Sequence, residues 1–588
     1  YERLEPRFDT YKAKLQIVEK NIYGVDIEPM AVEIARLRAW LSIIVDEEAD
    51  SKKIKPLPNL EFKFVCANSL ANLDQSGITT FGDDPKLAEK LQEIRDSYFN
   101  TESLNKKRKL RSDYEALVNK GEGLFGESLR SKQLKTYRPF DNEWTSNFFD
   151  PNFIFGVKKF NIIIGNPPYL EARHSNFSDS LKEVIQKSAK DRWGIDSEKI
   201  TRGADLLIYF YEFGIFNLTD KGHLVLIVQN SWLDTDYGKK FQQFLLKHTN
   251  VRKIIDSDLK HFDSSSGPNI NTVITVFEGS KPSTDSQDVV FAKLYTPEAT
   301  QDNSVSGGFA YKELHRFRSD DELLNRVKWG VILTSSPKAL KWIELLQNKG
   351  RLITDVGGSI GQGLNLTKDY IVETETVKDL ELPEEALIPF MTTLDGAPFE
   401  LTKTENFLID QSKISSEIKR ELDNRGIRSF DPKSTKRVKA DLILPRGVSR
   451  HFCATNKISA YTSSAVEIYI SEEYILNLWC FLNSSLGWFV REVTGRKNLG
   501  GGLLKAEATD LNSLPIYFDF DCDSKIQTIF NKIRSRQVLT RLDELDIDSH
   551  KELDAIVAEH LGISDIEFEE VVSELKAIIT RRYAKSKT

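Results

Sequence analysis

From Asn21 the chain reads NIYGVDIEPMAVEIARLRAWLSIIVDEE, in which a short β-prone run ends at Asp26, Pro29 stands where a helix begins, and apolar residues then recur at helical spacing. The pattern predicts strand, turn, helix. NLEFKFVCANSL predicts a second strand ending near Asn68. FNIIIGNPPY predicts a third, apolar throughout, as in strands buried on both faces of a parallel sheet. GADLLIYFYEFGIFNL then reads as a helix, GHLVLIVQNSWL as a strand, and the stretch from VRKIIDSDLKHF to NINTVITVFEG as two more strands around a loop. Strands alternating with helices predict a doubly wound α/β sheet whose ligands lie beyond the carboxyl ends of the strands, where Asp26, Asn68 and Asn166 fall.

Two stretches break this rhythm. Residues 85–137 are charged and helical in pattern, with the basic run NKKRKLRSDYEALVNK, and are expected to form a solvated helical insertion; the alternative is a nucleic-acid contact. After about Ser280 polar loops such as GSKPSTDSQD mark a border. The expected organisation is a first, α/β domain over 1–290, an α+β domain with glycine-rich turns and short β-prone runs over 291–522, and a charged helical segment over 523–588. No internal repeat is visible.

Composition adds exclusions. The 588 residues exceed one ordinary core, and 40% hydrophobic with 29% charged residues describe a globular chain. Cys66, Cys453, Cys480 and Cys522 form no C-x-x-C pair, and the eight histidines fall at no ligand spacing, so neither a disulfide nor a metal site is expected. No apolar run approaches the ~20 residues a membrane helix needs, and a cytoplasmic, non-membrane protein is expected. The net charge of −7 argues against a uniformly basic nucleic-acid binder, but a local basic surface remains open. Between Arg425 and Arg450 the cations Arg425, Arg428, Lys433, Lys436, Arg437, Lys439, Arg446 and Arg450 face only Asp431 and Asp441. This cluster is read as phosphate-facing, with Arg496 and Lys497 beside the triple glycine as further candidates.

The strand ends carry the chemistry. Asp26 stands where a carboxylate accepts both hydroxyls of a ribose, although an Asp before a helix also serves as an N-cap. Asn68 and Ser69 stand where a purine edge is bound or a turn is capped. Asn166-Pro167-Pro168-Tyr169 is more specific. Two prolines remove two donors and fix φ twice, leaving a stiff turn with free carbonyls. An exocyclic aromatic amine is a poor nucleophile because its lone pair is delocalised. Two acceptors, the Asn166 amide oxygen and the Pro167 carbonyl, can take its two hydrogens and draw nitrogen toward tetrahedral geometry, while Tyr169 offers a face for a stacked base.

In chain order, YGVDIEP, NSL, GNPPY and GADLLIYFYEFG resemble the motifs of S-adenosylmethionine-dependent DNA adenine-N6 methyltransferases of the gamma arrangement. LPRGVSRHF, CFLNSSLGWFV and GRKNLGGGLLKAEATDLNSLPI resemble the target-recognition domain of the large adenine methyltransferases of restriction–modification systems, especially the single-chain kind that fuse nuclease and methylase. The resemblance implies a bacterial restriction or phage-defence enzyme acting on double-stranded DNA. It assigns Asp26, Ile27, Asn68, Ser69 and Asn166 to the cofactor, Asn166 and Pro167 to the target amine, and Tyr169 with Phe262 to an extruded adenine. The family's glycine-rich first motif should precede Asp26, yet residues 1–20 contain no glycine. The chain is therefore expected to be the carboxyl-terminal part of a longer enzyme, its first motif and any nuclease lying in the remainder or in an associated piece. Two other readings stay open: a protein glutamine methyltransferase, whose family also carries Asn-Pro-Pro-Tyr, and a DNA-binding specificity fragment without activity of its own.

Overall fold

The computed structural model describes residues 10–45, 59–74, 85–99, 101, 103–119, 129–141, 143–169, 178–199, 204–257, 271–279, 285–295, 310–435, 439–463, 465–499, 503–512, 514–520, 524–539 and 541–584. Two compact units divide the chain: one holds 1–228, 244–250 and 276–283, the other 229–243, 251–275 and 284–588.

In the first unit, α1 (Thr10–Lys20) leads into β1 (Gly24–Asp26), α2 (Pro29–Ile44) and β2 (Phe64–Cys66). β1 and β2 pair in parallel, Asp26 opposite Cys66, so their carboxyl ends lie side by side. Gly24 is needed there, since a Cβ would lie 2.6 Å from the Phe64 ring. Buried Arg36 of α2 donates from Nε and Nη2 to the Phe64 carbonyl at 3.2 and 2.7 Å, fastening helix to strand. Val18, Val32, Ile43, Leu60, Phe64 and Phe99 fill the space between α1, α2 and β2.

The charged insertion forms α3 (Pro85–Phe99), α4 (Leu104–Asn119) and α5 (Leu129–Leu134). Solvation is only half of its character. Leu91, Ile94, Tyr98, Tyr114 and Leu134 are buried with Phe62, Phe148 and Phe153, and Phe62 stacks edge-on to Tyr98 at 5.5 Å. The basic run occupies the outer face of α4, and the apolar residues between its cations supply a core.

After α6 (Pro151–Phe155), β3 (Phe160–Gly165) leads to the Asn-Pro-Pro-Tyr turn, followed by α7 (Asp179–Trp193), α8 (Leu206–Phe216) and β4 (Leu218–Gln229). β3 and β4 are parallel, Gly165 opposite Leu226. The helix expected over GADLLIYFYEFG is α8, and its Glu212 is fully buried. Arg192 of α7 forks onto that carboxylate, with Nε at 2.8 Å from Oε2, and the Trp193 indole donates to Oε2 at 2.8 Å. Arg192 also reaches the Asn72 side chain, and the Asn72 amide donates to Ser188 Oγ at 3.0 Å, so the loop after β2 is tied to α7.

Next come α9 (Asp236–His248), β5 (Asn250–Ser257), β6 (Thr272–Glu278), β7 (Asp288–Tyr295) and β8 (Ala310–Arg318). In the second unit β7 pairs in parallel with β5 and antiparallel with β8. The border expected at 290/291 falls inside β7, because Val289, Val290, Phe291 and Ala292 form a continuous buried apolar run. The same unit has a five-stranded sheet ordered Glu400–Leu401, Ala454–Asn456, Leu442–Leu444, Val466–Tyr469, Ser359–Gln362. Helices Glu472–Asn483, Ser485–Thr494, Ser524–Ile533, Asp548–Leu561 and Asp565–Ala584 form its helical part. The carboxyl-terminal helices are packed rather than loose: buried Arg582 forks onto the Glu492 carboxylate, which also takes His451 Nε2 at 2.8 Å. Among the described residues no helix is long and apolar enough to cross a membrane.

Candidate functional site

Asp26 ends β1 with an exposed side chain, and its Oδ1 accepts the Glu28 amide at 2.9 Å, so one carboxylate oxygen shapes the turn into α2. The Ile27 carbonyl in that turn is held from β2 and beyond: Cys66 Sγ lies 3.4 Å away and Thr145 Oγ1 donates to it at 3.2 Å. Asn68 follows β2, its amide donating to the Ser146 carbonyl at 2.9 Å and its Oδ1 accepting from the Leu70 amide at 3.2 Å; Ser69 is half-buried beside it. The pairing of β1 with β2 thus brings Asp26, Ile27, Asn68 and Ser69 to one end. A shallow cleft opens beside that turn, lined among others by Pro29, Cys66, Arg138 and Trp144, with the Arg138 guanidinium 4.2 Å over the Trp144 ring. Thr145, Trp144 and Arg138 were not singled out from sequence; an aromatic in the polar stretch DNEWTSN was the one signal of them.

At the end of β3, Asn166 is exposed, Pro167 buried, Pro168 exposed and Tyr169 half-buried. The Tyr169 hydroxyl donates to Asn166 Oδ1 at 3.0 Å, which holds the carboxamide against the half-buried ring. Burial pushes the Tyr169 phenol up to about 12, so it stays a neutral donor. Among the described residues no amide donates to the Pro167 carbonyl, leaving it an available acceptor.

The basic segment is less free than its charge count implies. Arg425 pairs with Asp379 at 2.5 Å and Glu421 at 2.9 Å, Arg428 with Asp369 at 2.9 Å, and Arg446 forks onto Glu507 at 2.7 and 2.8 Å. Arg450 lies 3.7 Å from Asp395 and donates to the Val538 carbonyl at 3.2 Å. Most of these carboxylates are distant in sequence, which hid them from a local charge count. Lys433 and Lys439 are exposed. Arg496 and Lys497 lie on the strand Arg496–Leu499. Lys436, Arg437 and Phe262 lie outside the described residues. Among the described residues no cluster of His, Cys, Asp and Glu has metal-ligand geometry.

Residues 20–262 match the family model of the Eco57I restriction-modification methylase. RM.MjaORFECS2P of Methanocaldococcus jannaschii, assigned as a type II restriction enzyme and methyltransferase, is 25% identical over 359 residues, covering 50% of this chain and 28% of that protein. The type II methyltransferase M.BstVI of Geobacillus stearothermophilus is 24% identical over 249 residues, covering 40% of this chain and 41% of that protein. The chain thus spans less than half the length of either relative. Among solved structures, the type IIL restriction-modification enzyme MmeI, in complex with DNA, superposes over 98% of this chain and 75% of that chain with a TM-score of 0.50 and 12% identity, a likeness of fold. Over residues 20–262, this chain is similar to the restriction-modification methylases that the Eco57I family model describes.

Proposed function

We propose that the chain carries the methyltransferase and target-recognition parts of a restriction–modification enzyme that methylates N6 of adenine in double-stranded DNA with S-adenosylmethionine. The observation that carries this reading is the Asn166 carboxamide at the open end of β3, its oxygen oriented by Tyr169 and next to the Pro167 carbonyl, which accepts no amide among the described residues.

A carbonyl oxygen has two lone pairs, so Asn166 Oδ1 can keep the Tyr169 bond while accepting one amine hydrogen; Pro167 accepts the other. The two contacts strengthen as positive charge develops on nitrogen, so they lower the barrier more than they stabilise the ground state. The Tyr169 ring gives an extruded base a face to stack on, offsetting part of the few kcal/mol lost on unstacking. The β1–β2 end fits the cofactor in its donor set. Asp26 presents a carboxylate for ribose hydroxyls, while the held Ile27 carbonyl and the cleft beside Pro29, Cys66 and Trp144 offer a flat, partly apolar place for a purine. When bound, S-adenosylmethionine supplies an electrophilic methyl group. Lys433 and Lys439 are exposed cations of the basic segment that phosphates can reach. The expected setting is the cytoplasm of a prokaryotic cell.

The test is Asn166→Ala in the full-length gene product. Methyl transfer to DNA is expected to fall about 10²–10³-fold with DNA affinity retained, because the lost acceptor acts at the reacting nitrogen. Near-normal turnover would refute the assignment.

A further inference from the structure

The basic run of α4 has no part in the chemistry above. Arg111 follows Lys107 by four positions and Arg108 by three, so the three share one flank of the helix, beside the face that carries buried Tyr114 and the core-packed Leu110 and Leu117. Arg108 and Arg111 are exposed and Lys107 is half-buried. Among the described residues none of the three pairs with a carboxylate, and Asp113 and Glu115, further along α4, take up none of this charge. Arg425, Arg428 and Arg446 differ in this respect, since each is engaged by a carboxylate of the chain.

Solvation alone does not describe this flank, because its arginines are held. The Arg111 guanidinium lies 4.3 Å over the Phe140 ring and donates from Nη2 to the Phe140 carbonyl at 3.3 Å. Phe140 is itself fixed edge-on against Phe62 at 5.3 Å. Two residues earlier the arrangement repeats: Arg138 lies 4.2 Å over Trp144, whose indole donates to the Thr136 carbonyl at 2.8 Å. Asp141 pairs with Arg138 at 3.9 Å, longer than a hydrogen bond. A guanidinium stacked on a ring keeps its edge donors outward and has less freedom to lose when it forks onto an oxyanion.

These contacts lead to the strand ends. Trp144 lines the cleft beside the turn after β1, and the next residue, Thr145, donates to the Ile27 carbonyl at 3.2 Å. The cations thus form a chain from α4 through Phe140 and Trp144 to the end of the sheet where Asp26 stands. We propose that Lys107, Arg108, Arg111 and Arg138 form a second DNA-contacting surface, one that holds phosphates of the duplex flanking the methylated sequence and reads no bases. The inference rests on the reading of the substrate as double-stranded DNA. A duplex carries one negative charge for about every 1.7 Å of its axis, so cations set along a helix flank and two stacked guanidiniums meet phosphates in series. Such contacts position the duplex without selecting sequence. In a chain of net charge −7 the attraction is local to this flank.

The test uses the full-length gene product and two duplexes carrying the sequence it methylates, one with long flanks on both sides and one trimmed to the sequence itself. For Lys107→Gln/Arg108→Gln, the slope of log affinity against log salt on the long duplex should flatten by roughly 1.8, about 0.9 for each of two phosphates no longer neutralised. On the trimmed duplex the slopes of parent and variant should agree. Lys107→Arg/Arg108→Lys keeps both charges and should match the parent on both duplexes; flattening there as well would trace the effect to packing and overturn the inference. An unchanged slope on the long duplex, as expected if the flank met an acidic protein surface instead, would also overturn it, as would equal flattening on the trimmed duplex. A parent that binds neither duplex would overturn the DNA reading itself and this inference with it, whereas salt-dependent binding by the parent confines a failure to this surface.

Discussion

Removing one oxygen atom separates the two roles of Tyr169. Tyr169→Phe keeps the ring that a base would stack on and deletes the 3.0 Å bond to Asn166 Oδ1. A neutral hydrogen bond contributes about 1 kcal/mol net, and 1.36 kcal/mol is tenfold in rate, so single-turnover methyl transfer should slow ~5-fold through less frequent correct orientation of the carboxamide. Tyr169→Ala also removes the stacking face, for which base–aromatic contacts give ~1–3 kcal/mol, so its total loss should reach ~10²-fold or more, most of it in binding of target DNA. Asn166→Ala should lie at about 10²–10³-fold in the transfer step itself. Because burial holds the phenol at about 12, the Tyr169 enzyme and Tyr169→Phe should show parallel pH–rate profiles between about pH 7 and 10. Rapid-quench measurement of labelled methyl transferred to DNA, at saturating enzyme, reads all three variants. A Phe variant as damaged as the Ala variant would refute the division of labour, as would profiles that diverge with a pKa near 9.

Other consequences are independent of catalysis. Arg192 and Glu212 are both buried, so Arg192→Met leaves a carboxylate uncompensated and should cost about 3–5 kcal/mol in denaturant unfolding, with part regained in Arg192→Met/Glu212→Gln; a single-variant loss under ~1 kcal/mol would contradict the packing described. Asp554 accepts from the Ser485 amide at 2.7 Å and from its hydroxyl at 2.6 Å, and burial raises it from 3.8 to about 7. With its folded pKa above the unfolded one, its contribution is complete below about pH 3.8 and lost as pH rises to about 7, a span worth at most ~4 kcal/mol. Asp554→Asn should therefore be more stable than the parent at pH 8 and show a flatter stability profile between pH 4 and 7; equal slopes in urea melts across that range would refute it. Lys433→Gln/Lys439→Gln should weaken binding to all DNA sequences alike and flatten the salt dependence by ~0.9 for each phosphate no longer neutralised, whereas Arg446→Gln, whose charge is engaged by Glu507, should change the slope little; the reverse pattern would exchange their roles.

Periodicity located the elements that position the site. The runs ending at Asp26, near Asn68 and at Gly165 are strands, and GADLLIYFYEFG is a helix, because each combines a local pattern with a Pro, Gly or Asn boundary. The stiffness of Asn166-Pro167-Pro168-Tyr169 was also local, but the bond from Tyr169 to Asn166 was not, since it depends on a half-buried rotamer. Long-range partners were out of reach: Arg446 finds Glu507 and Arg425 finds Asp379 only after folding, so four of the eight cations in the basic run are engaged by carboxylates of the same chain. The insertion misled in the same way. Tyr98 and Tyr114 are spaced among charges, and only the aromatic cluster around Phe62 shows that they form a core. Strand existence was legible; strand neighbours, such as β1 beside β2 and β3 beside β4, were not.

The most direct test of the central claim is nucleoside mass spectrometry of duplex DNA incubated with the full-length gene product and S-adenosylmethionine carrying a deuterated methyl group. Deuterated N6-methyldeoxyadenosine is expected at a defined sequence, absent with Asn166→Ala. Label on cytosine, label on protein glutamine with none on DNA, or undiminished N6-methyladenine with Asn166→Ala would contradict it.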